Sequence, residues 1–344
     1  MVNFLCHVKF IKELLIMIKL ITLLGAVCTL SLFGCSQQEV HTGKSLSALS
    51  HSDNIITASA LSKDGQFNLV ADGKTVCLWN NKQVESPSHC LTGNEAEFIE
   101  LLDISENNQF YLTSNQMTVR LHSVQSKQQL GEWGVEGHII NEMDISANGD
   151  KILLGFRSGE ASIIDVKRNK VTTFEKHRLD INSVSLSDDG AIAFTGSSDK
   201  KAMLWQTDSG NNIHEFKHAS RVNHVSISAD GKLGFTLDAI KDRTFWDLSR
   251  GKSIAELDTN LRFFEFNDSR FSADNTLLLT GSPKQVIKLW RVSDGVLMAE
   301  WQSEATKGRA SVLSVAYSEQ GKMVTTNSDG LFEQWQLPNI QVNN

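Results

Sequence analysis

The chain has only three prolines among its 344 residues, and it lacks the usual catalytic motifs. It contains no nucleophile elbow, no phosphate-binding P-loop, no HExxH zinc motif and no dinucleotide fingerprint, which argues against the enzyme classes that carry them. The five cysteines form no CxxC pair and no Cys/His spacing typical of zinc sites. We therefore expect neither a metal nor a cofactor, and no residue is a catalytic candidate.

Concentrated positive charge is also lacking. The formal net charge is −7. Residues 1–34 contain three lysines and one glutamate, so the rest of the chain is more negative than this total. No cluster of Lys and Arg provides the basic face from which nucleic-acid binding gains its counterion-release energy. We therefore do not expect a nucleic-acid partner.

What the chain does have is enough apolar material for a large core. Apolar residues make up 40% and charged residues 21% of the sequence, a composition typical of globular proteins. Strand-forming residues are spread along the whole length, glycines punctuate them, and no long helical period interrupts them. These features predict a single all-β body.

An uncharged apolar stretch, residues 20–32, follows Lys19 near the amino terminus. It ends in a small residue and a cysteine, after which the chain turns polar, and this is the layout of a secretory signal. The string Leu32-Phe33-Gly34-Cys35 resembles the lipobox of bacterial lipoproteins. The resemblance implies cleavage before Cys35 and acylation of that residue, so that residues 1–34 are a signal peptide and 35–43 a lipidated tether.

Two other interpretations of the amino terminus remain open, an uncleaved membrane helix and ordinary cleavage without lipid. Lysines and a glutamate interrupt the longer apolar run, and each would cost about 2.5 kcal/mol or more at hydrocarbon depth, which disfavours a spanning helix. A start at Met17 would give a compact lipoprotein signal. By the lipoprotein resemblance, Ser36 after the cysteine implies the periplasmic face of the outer membrane if the organism is Gram-negative.

A turn of the form Ser-x-Asp/Asn-Gly, or a close variant of it, recurs seven times. Its serines are Ser62, Ser105, Ser146, Ser187, Ser228, Ser272 and Ser318. An apolar strand after each of them reaches a bulky residue, which is tryptophan in five cases: Trp79, His122, Ile164, Trp205, Trp246, Trp290 and Trp335. The spacing of the serines, 41 to 46 residues, predicts the blades of a β-propeller.

The repeats resemble WD40 repeats, most clearly in Phe245-Trp246-Asp247 and in the segment from Phe194 to Asp199 that leads to Trp205. The resemblance covers residues 44 to about 338 and implies a seven-bladed WD40-type β-propeller, with residues 339–344 as a polar tail. Each blade needs four strands, a to d. Strand d is predicted at residues 86–91, 127–133, 169–174, 211–216, 252–257 and 295–301.

The seventh strand d is missing after Trp335, and a matching segment, Lys44–Leu49, lies before the first blade. We therefore predict that the amino-terminal strand completes the last blade and closes the ring, which leaves no open array with exposed sheet edges. An eight-bladed propeller similar to the quinoproteins is the alternative.

Four residues, His177, Thr195, Asp199 and Trp205, have the residue types of a catalytic site. The WD40 resemblance implies instead that they form a buried hydrogen-bond network within blade 4, with a structural role. Two cysteines, Cys77 and Cys90, are predicted to lie on the neighbouring strands c and d of blade 1. An oxidising compartment would permit a disulfide between them, and two packed free thiols are the other interpretation.

In WD40 proteins, partners dock on the face that the d–a and b–c loops form. Aromatic residues and arginines are the usual anchors of such contacts. The candidates here are Phe98, Asp180, Arg221, Arg262, Phe263 and Phe264. The two phenylalanines have an alternative role as the core of a strand a that begins early.

These patterns predict a membrane-anchored, non-catalytic scaffold at the cell envelope that binds partner proteins. The alternative is a propeller hydrolase or lyase with its site at the mouth of the central channel, because such sites leave no local motif.

Overall fold

A computed structural model describes residues 40–83, 85–96, 98–259, 265–319 and 321–338. The described residues form 28 β-strands and a short 3-10 helix at Gly93–Glu95. The strands make seven four-stranded antiparallel sheets, which are the blades of a β-propeller. Seven blades are therefore confirmed, rather than eight. The predicted lipobox and the binding candidates Arg262, Phe263 and Phe264 lie outside the described residues.

Strand β1 (Ser47–Ser50) precedes the first blade. Blade 1 contains β2 (Ala58–Leu61), β3 (Phe67–Ala71), β4 (Thr75–Asn80) and β5 (His89–Thr92). Blade 2 contains β6 (Leu101–Ile104), β7 (Phe110–Ser114), β8 (Thr118–Ser123) and β9 (Gln129–Gly134). Blade 3 contains β10 (Ile140–Ile145), β11 (Lys151–Phe156), β12 (Glu160–Asp165) and β13 (Lys170–Glu175). Blade 4 contains β14 (Ile181–Leu186), β15 (Ile192–Ser197), β16 (Lys201–Gln206) and β17 (Asn212–Lys217).

Blade 5 contains β18 (Val222–Ile227), β19 (Leu233–Asp238), β20 (Arg243–Asp247) and β21 (Lys252–Glu256). Blade 6 contains β22 (Asp268–Phe271), β23 (Leu277–Gly281), β24 (Val286–Arg291) and β25 (Leu297–Gln302). Blade 7 contains β26 (Val312–Ser318), β27 (Lys322–Asn327), β28 (Leu331–Gln336) and β1. In this order the strands of each blade run from a, at the central channel, to d, at the rim. Within the described ranges, no helix is long and apolar enough to cross a bilayer.

The middle strands of the blades are buried on both sides because neighbouring blades pack face to face. In β11, every residue from Ile152 to Phe156 is buried, so the strand is continuously apolar rather than alternating. The outer strand β13 has no buried residue. This gradient explains why strands b and c carry the strongest sequence signal and strand d the weakest.

The recurrent turn between strands a and b is built by its own side chains. In blade 4, the Ser187 hydroxyl donates to Asp189 (2.7 Å) and accepts from the Ile192 amide (3.0 Å). The Asp189 carboxylate accepts from the Ala191 amide at 2.9 Å. Gly190 has φ +68°, a left-handed conformation that favours glycine. These contacts explain why the sequence repeats Ser, Asp and Gly at fixed spacing.

The ring closes as the sequence predicts. Strand β1 pairs antiparallel with β28, with Ser47 opposite Gln334 and Leu49 opposite Phe332. Just before β1, the His41 amide donates to Met298 and the His41 carbonyl accepts from Glu300, which makes a short parallel bridge on the outer edge of β25. The amino-terminal part of the propeller thus contacts both blade 6 and blade 7.

Strands β4 and β5 place Cys77 directly opposite Cys90. The structure joins the two residues in a disulfide, which links strands c and d of blade 1.

Candidate binding face and central channel

The d–a and b–c loops lie at one end of the blades, because strand a begins and strand b ends there. We call this end the loop face. Among the residues that the structure describes, six large apolar side chains are exposed on it: Ile55, Phe98, Met117, Ile139, Leu179 and Ile240. The largest of them, Phe98, is 71% exposed. It also has φ +60°, a conformation that costs a residue with a side chain about 1 kcal/mol.

The other described candidates also lie on this face. Both Asp180, in the d–a loop that leads into blade 4, and Arg221, in the next d–a loop, are exposed. The structure thus brings Phe98, Asp180 and Arg221 to one face, on blades 2, 4 and 5.

Backbone hydrogen bonds connect the loops of blades 3, 4 and 5 into one continuous surface. Each d–a loop bonds to the b–c loop of the preceding blade and to the b–c loop of its own blade. The bonds are His177 N–H to Gly159 O (2.8 Å), Ser198 N–H to Asp180 O (2.9 Å), His218 N–H to Lys200 O (2.9 Å) and Ala239 N–H to Arg221 O (2.9 Å). Side chains on these loops are therefore held by a preorganised frame.

Three members of the expected network in blade 4 are connected. The His177 ring lies 2.9 Å from Thr195 Oγ1 through Nε2 and 3.2 Å from the Asp199 carboxylate through Nδ1. Burial alone would raise the pKa of Asp199, but the hydrogen bond and charge of His177 hold that pKa below its usual value. The group fastens the d–a loop to strand b and the b–c loop.

The expectation that Trp205 is the fourth member of this hydrogen-bond network is wrong. Its indole N–H is buried and has no hydrogen-bond partner among the described residues. In blades 5, 6 and 7 the equivalent indole donates to a threonine of strand b, in the pairs Trp246–Thr236 (2.8 Å), Trp290–Thr280 (3.1 Å) and Trp335–Thr325 (3.0 Å). In blade 4 the His177 ring contacts that hydroxyl instead, and Lys176 Nζ lies 4.6 Å from the centre of the Trp205 ring.

A second histidine on the loop face, His218, lies beside Asp238 and Asp242. One ring nitrogen of His218 and one carboxylate oxygen of each aspartate, the atoms that could bind a metal ion, lie within 4.8 Å of one another. The Asp238 carboxylate already accepts four backbone N–H groups, those of residues 220, 240, 241 and 242. Burial lowers the pKa of His218 despite both carboxylates. This group organises the b–c loop of blade 5, and the expectation of no metal stays a prediction.

The a strands of the blades surround a central channel, which contains a cavity of about 470 Å³. Its lining includes the carboxylates Asp103, Glu142, Asp144 and Asp268 and the guanidinium of Arg270. Burial raises the pKa of Asp103 and Asp144, with the charge of Arg270 opposing the shift, and it raises that of Glu142 to about 7. The channel interior is thus rich in ionisable groups, and burial disfavours the charged form of its carboxyl groups.

The channel carboxylates connect neighbouring blades. Because strand a is the inner edge of each sheet, some of its amides lack a partner strand. The Asp103 carboxylate accepts from the Ile145 amide (3.0 Å), that of Asp144 from Leu186 (2.6 Å) and that of Asp268 from Val315 (2.9 Å), in each case on the next blade. These contacts assign Asp103, Asp144 and Asp268 a structural role.

Nearer to the a–b turns, the side chain of Lys63 connects three blades. Lys63 of blade 1 forms ion pairs with Glu106 of blade 2 and with Asp188 of blade 4, the latter at 3.1 Å. Burial and the proximity of Asp188 raise the pKa of Glu106 to about 7, although Lys63 opposes this.

Sequence reasoning missed two features of this site. The channel network is one, because its members come from different repeats. The other is a set of exposed basic residues on the loop face, Arg157, Arg178, Lys200 and Lys241, which join the expected Arg221. These residues are about 20 positions apart, so no basic cluster is visible along the chain. A spacing of about 20 residues places them on successive d–a and b–c loops. This spacing is the signal in the sequence that could have identified them.

Two comparisons with known proteins agree with this architecture. The WD40 family, described as "WD domain, G-beta repeat", matches residues 168–206, which contain strand d of blade 3 and strands a to c of blade 4. The chain is also similar to WD repeat-containing protein SL1-17 of Schistosoma mansoni, with 27% identity over 95 residues. The match covers 28% of this chain and 32% of that protein, so it spans about a third of that relative's length. Both matches support a WD40-like propeller.

Proposed function

We propose that the protein is a non-catalytic scaffold that binds partner proteins through its loop face while a lipid on Cys35 anchors it to the cell envelope. The observation that carries the docking role is the exposure of large apolar side chains on this face, with Phe98 the most exposed. Exposed aromatic side chains are common anchors of contacts between proteins. The strained backbone of Phe98 supports the same conclusion, since strain concentrates at functional sites.

The alternative, a hydrolase or lyase at the channel mouth, has weaker support. A general acid or base needs a carboxyl group that is free to exchange its proton with a substrate. Asp103, Asp144 and Asp268 instead accept backbone hydrogen bonds from the next blade.

The docking role can be tested by photo-crosslinking in native membranes. A benzoylphenylalanine at position 98 should give a discrete cross-linked product, whereas the same residue at Val171, exposed on strand d of blade 3, should not. Replacing Phe98 or Arg221 by Ala should weaken partner capture and shift the melting temperature by no more than about 2 °C, because exposed side chains contribute little to stability.

The residues outside the described ranges extend this test. Arg262→Ala and Phe264→Ala should also weaken capture. If Phe264→Ala lowered the melting temperature by several degrees and the partner still bound, Phe264 would be a core residue. Equal cross-linking from positions 98 and 171 would contradict docking on the loop face.

The anchor is supported by the string Leu32-Phe33-Gly34-Cys35. Replacing Cys35 by Ala should abolish incorporation of labelled palmitate and block processing, because the thiol is the acyl acceptor. Two or three acyl chains, at about 0.8 kcal/mol per buried methylene, would hold the protein to a bilayer stably. Palmitate labelling of the Cys35→Ala protein at the wild-type level would show that the anchor proposal is wrong.

A further inference from the structure

Five basic residues stand on the loop face across blades 3, 4 and 5, and we call them the basic arc. They are Arg157, Arg178, Lys200, Arg221 and Lys241, and all five are exposed. Two come from d–a loops and three from b–c loops, the loops that the backbone hydrogen bonds connect. The arc is therefore one preorganised surface rather than a set of independent side chains.

On the opposite face, basic side chains have acidic partners. Arg168 pairs with Asp165 (2.8 Å), Arg250 with Asp247 (3.4 Å) and Lys232 with Asp230 (3.1 Å). Among the described residues, no carboxylate lies within ion-pair distance of any member of the basic arc. In a chain with a net charge of −7, the basic arc thus carries positive charge that no ion pair among the described residues neutralises.

The acidic groups near the arc are mostly engaged elsewhere. Asp199 binds His177 and accepts the Arg178 amide, and Asp242 accepts the Ala219 amide at 3.1 Å. The exposed carboxylate of Asp180 stands within the arc. Two exposed aliphatic side chains, Leu179 and Ile240, lie on the same loops, and a third, Ile139, lies on the d–a loop that leads into blade 3. The Ile139 carbonyl accepts from the Arg157 amide at 3.1 Å.

We propose that the basic arc docks an acidic segment of a partner protein in which carboxylates alternate with apolar side chains. The proposal rests on the docking role of the loop face and specifies the chemistry of its partner. Alternating positive and aliphatic groups complement such a segment in both charge and hydrophobicity. Nucleic acid fits less well, because the exposed apolar groups beside the arc, Ile139, Leu179 and Ile240, are aliphatic rather than the aromatic side chains on which bases stack.

The probe is a fluorescein-labelled peptide of repeating Glu-Leu-Glu units, measured by anisotropy with the full chain in detergent solution. Three further probes have Lys in place of Glu, Gly in place of Leu, or a labelled DNA strand in place of the peptide. The Glu-Leu peptide should bind best. Its Kd should rise with salt, since exposed charges are screened beyond a Debye length of about 8 Å at physiological ionic strength.

A charge-reversal pair of variants locates the site. The triple variant Arg178→Glu, Lys200→Glu, Arg221→Glu should raise the peptide's Kd by about tenfold or more, because it replaces attraction by repulsion. The matched control, Lys167→Glu, Arg168→Glu, Arg250→Glu, makes the same charge change on the opposite face and should alter Kd by less than about twofold. If the first triple fails to fold, the three Gln substitutions replace it.

Three results would overturn the proposal. They are equal Kd values for the two triple variants, tighter binding of DNA than of the Glu-Leu peptide, and no binding of the peptide at low salt. If one of these occurs while position 98 still cross-links to a partner, the acidic-segment proposal fails and the scaffold function stands. If peptide binding follows the arc but position 98 captures nothing in membranes, the arc is a binding site and the scaffold proposal fails.

Discussion

Removal of residues 36–49 should lower the melting temperature by about 10 °C or more, which corresponds to a loss of about 5 kcal/mol in a domain of this size. The deletion removes most of β1, which pairs with β28 from Ser47 to Ser50. It also removes Leu49, which packs on the cluster that includes Phe332. Both the lost hydrogen bonds and the newly exposed apolar surface destabilise the folded state.

The control for this deletion is the removal of Ile340–Asn344, which should leave the melting temperature within about 2 °C of the wild-type value, as expected for a short polar terminus. The deletion of 36–49 should also promote aggregation, because it exposes the edge of β28 to other chains. Differential scanning calorimetry and size-exclusion chromatography measure the two effects. Equal melting temperatures for the two truncations would contradict the closure of the ring by β1.

The architecture could be predicted from the sequence because its determinants are local and repeated. The Ser187–Asp189–Gly190 turn makes its own hydrogen bonds, so the same residue types, or close variants of them, recur in each blade. Closure by β1 could be deduced as well, since a strand is missing after Trp335 and a matching segment lies before blade 1. Both predictions depend on spacing along the chain rather than on contacts between distant residues.

The site could be predicted only in part, because its contacts cross between repeats. The exposure of Phe98 and Arg221 follows from their loop positions. The loss of the Trp205 hydrogen bond does not, because it depends on which group reaches the Thr195 hydroxyl in three dimensions. The basic arc and the channel network are assembled from several blades, so neither leaves a motif along the sequence.

Replacing Arg270 by Met should destabilise the protein by about 3 kcal/mol at pH 7.5, which is near the lower end of the cost of breaking a buried ion pair. Arg270 lines the channel beside Asp268, with Nε 3.9 Å from Oδ1, and its charge also acts on Asp103 and Asp144. About 28% of its side chain is accessible, in the channel cavity, so water there relieves part of the penalty. The matched control is Arg168→Met at the surface, which should cost less than about 1 kcal/mol.

The pH dependence distinguishes a charge effect from a packing effect. Burial raises the folded-state pKa of Asp103 and Asp144, and the loss of Arg270 should raise it further, because the cation is what opposes the shift. A carboxyl group whose folded pKa exceeds its unfolded value binds more protons in the folded state, so the stability that it confers increases as the pH falls below the folded pKa. The deficit of Arg270→Met relative to the wild type should therefore be smaller at pH 5.5 than at pH 7.5. Urea unfolding of both proteins at the two pH values measures it. A deficit that is the same at both would show that Arg270 acts through packing and its 3.5 Å hydrogen bond to the Leu61 carbonyl, rather than by neutralising the channel carboxylates.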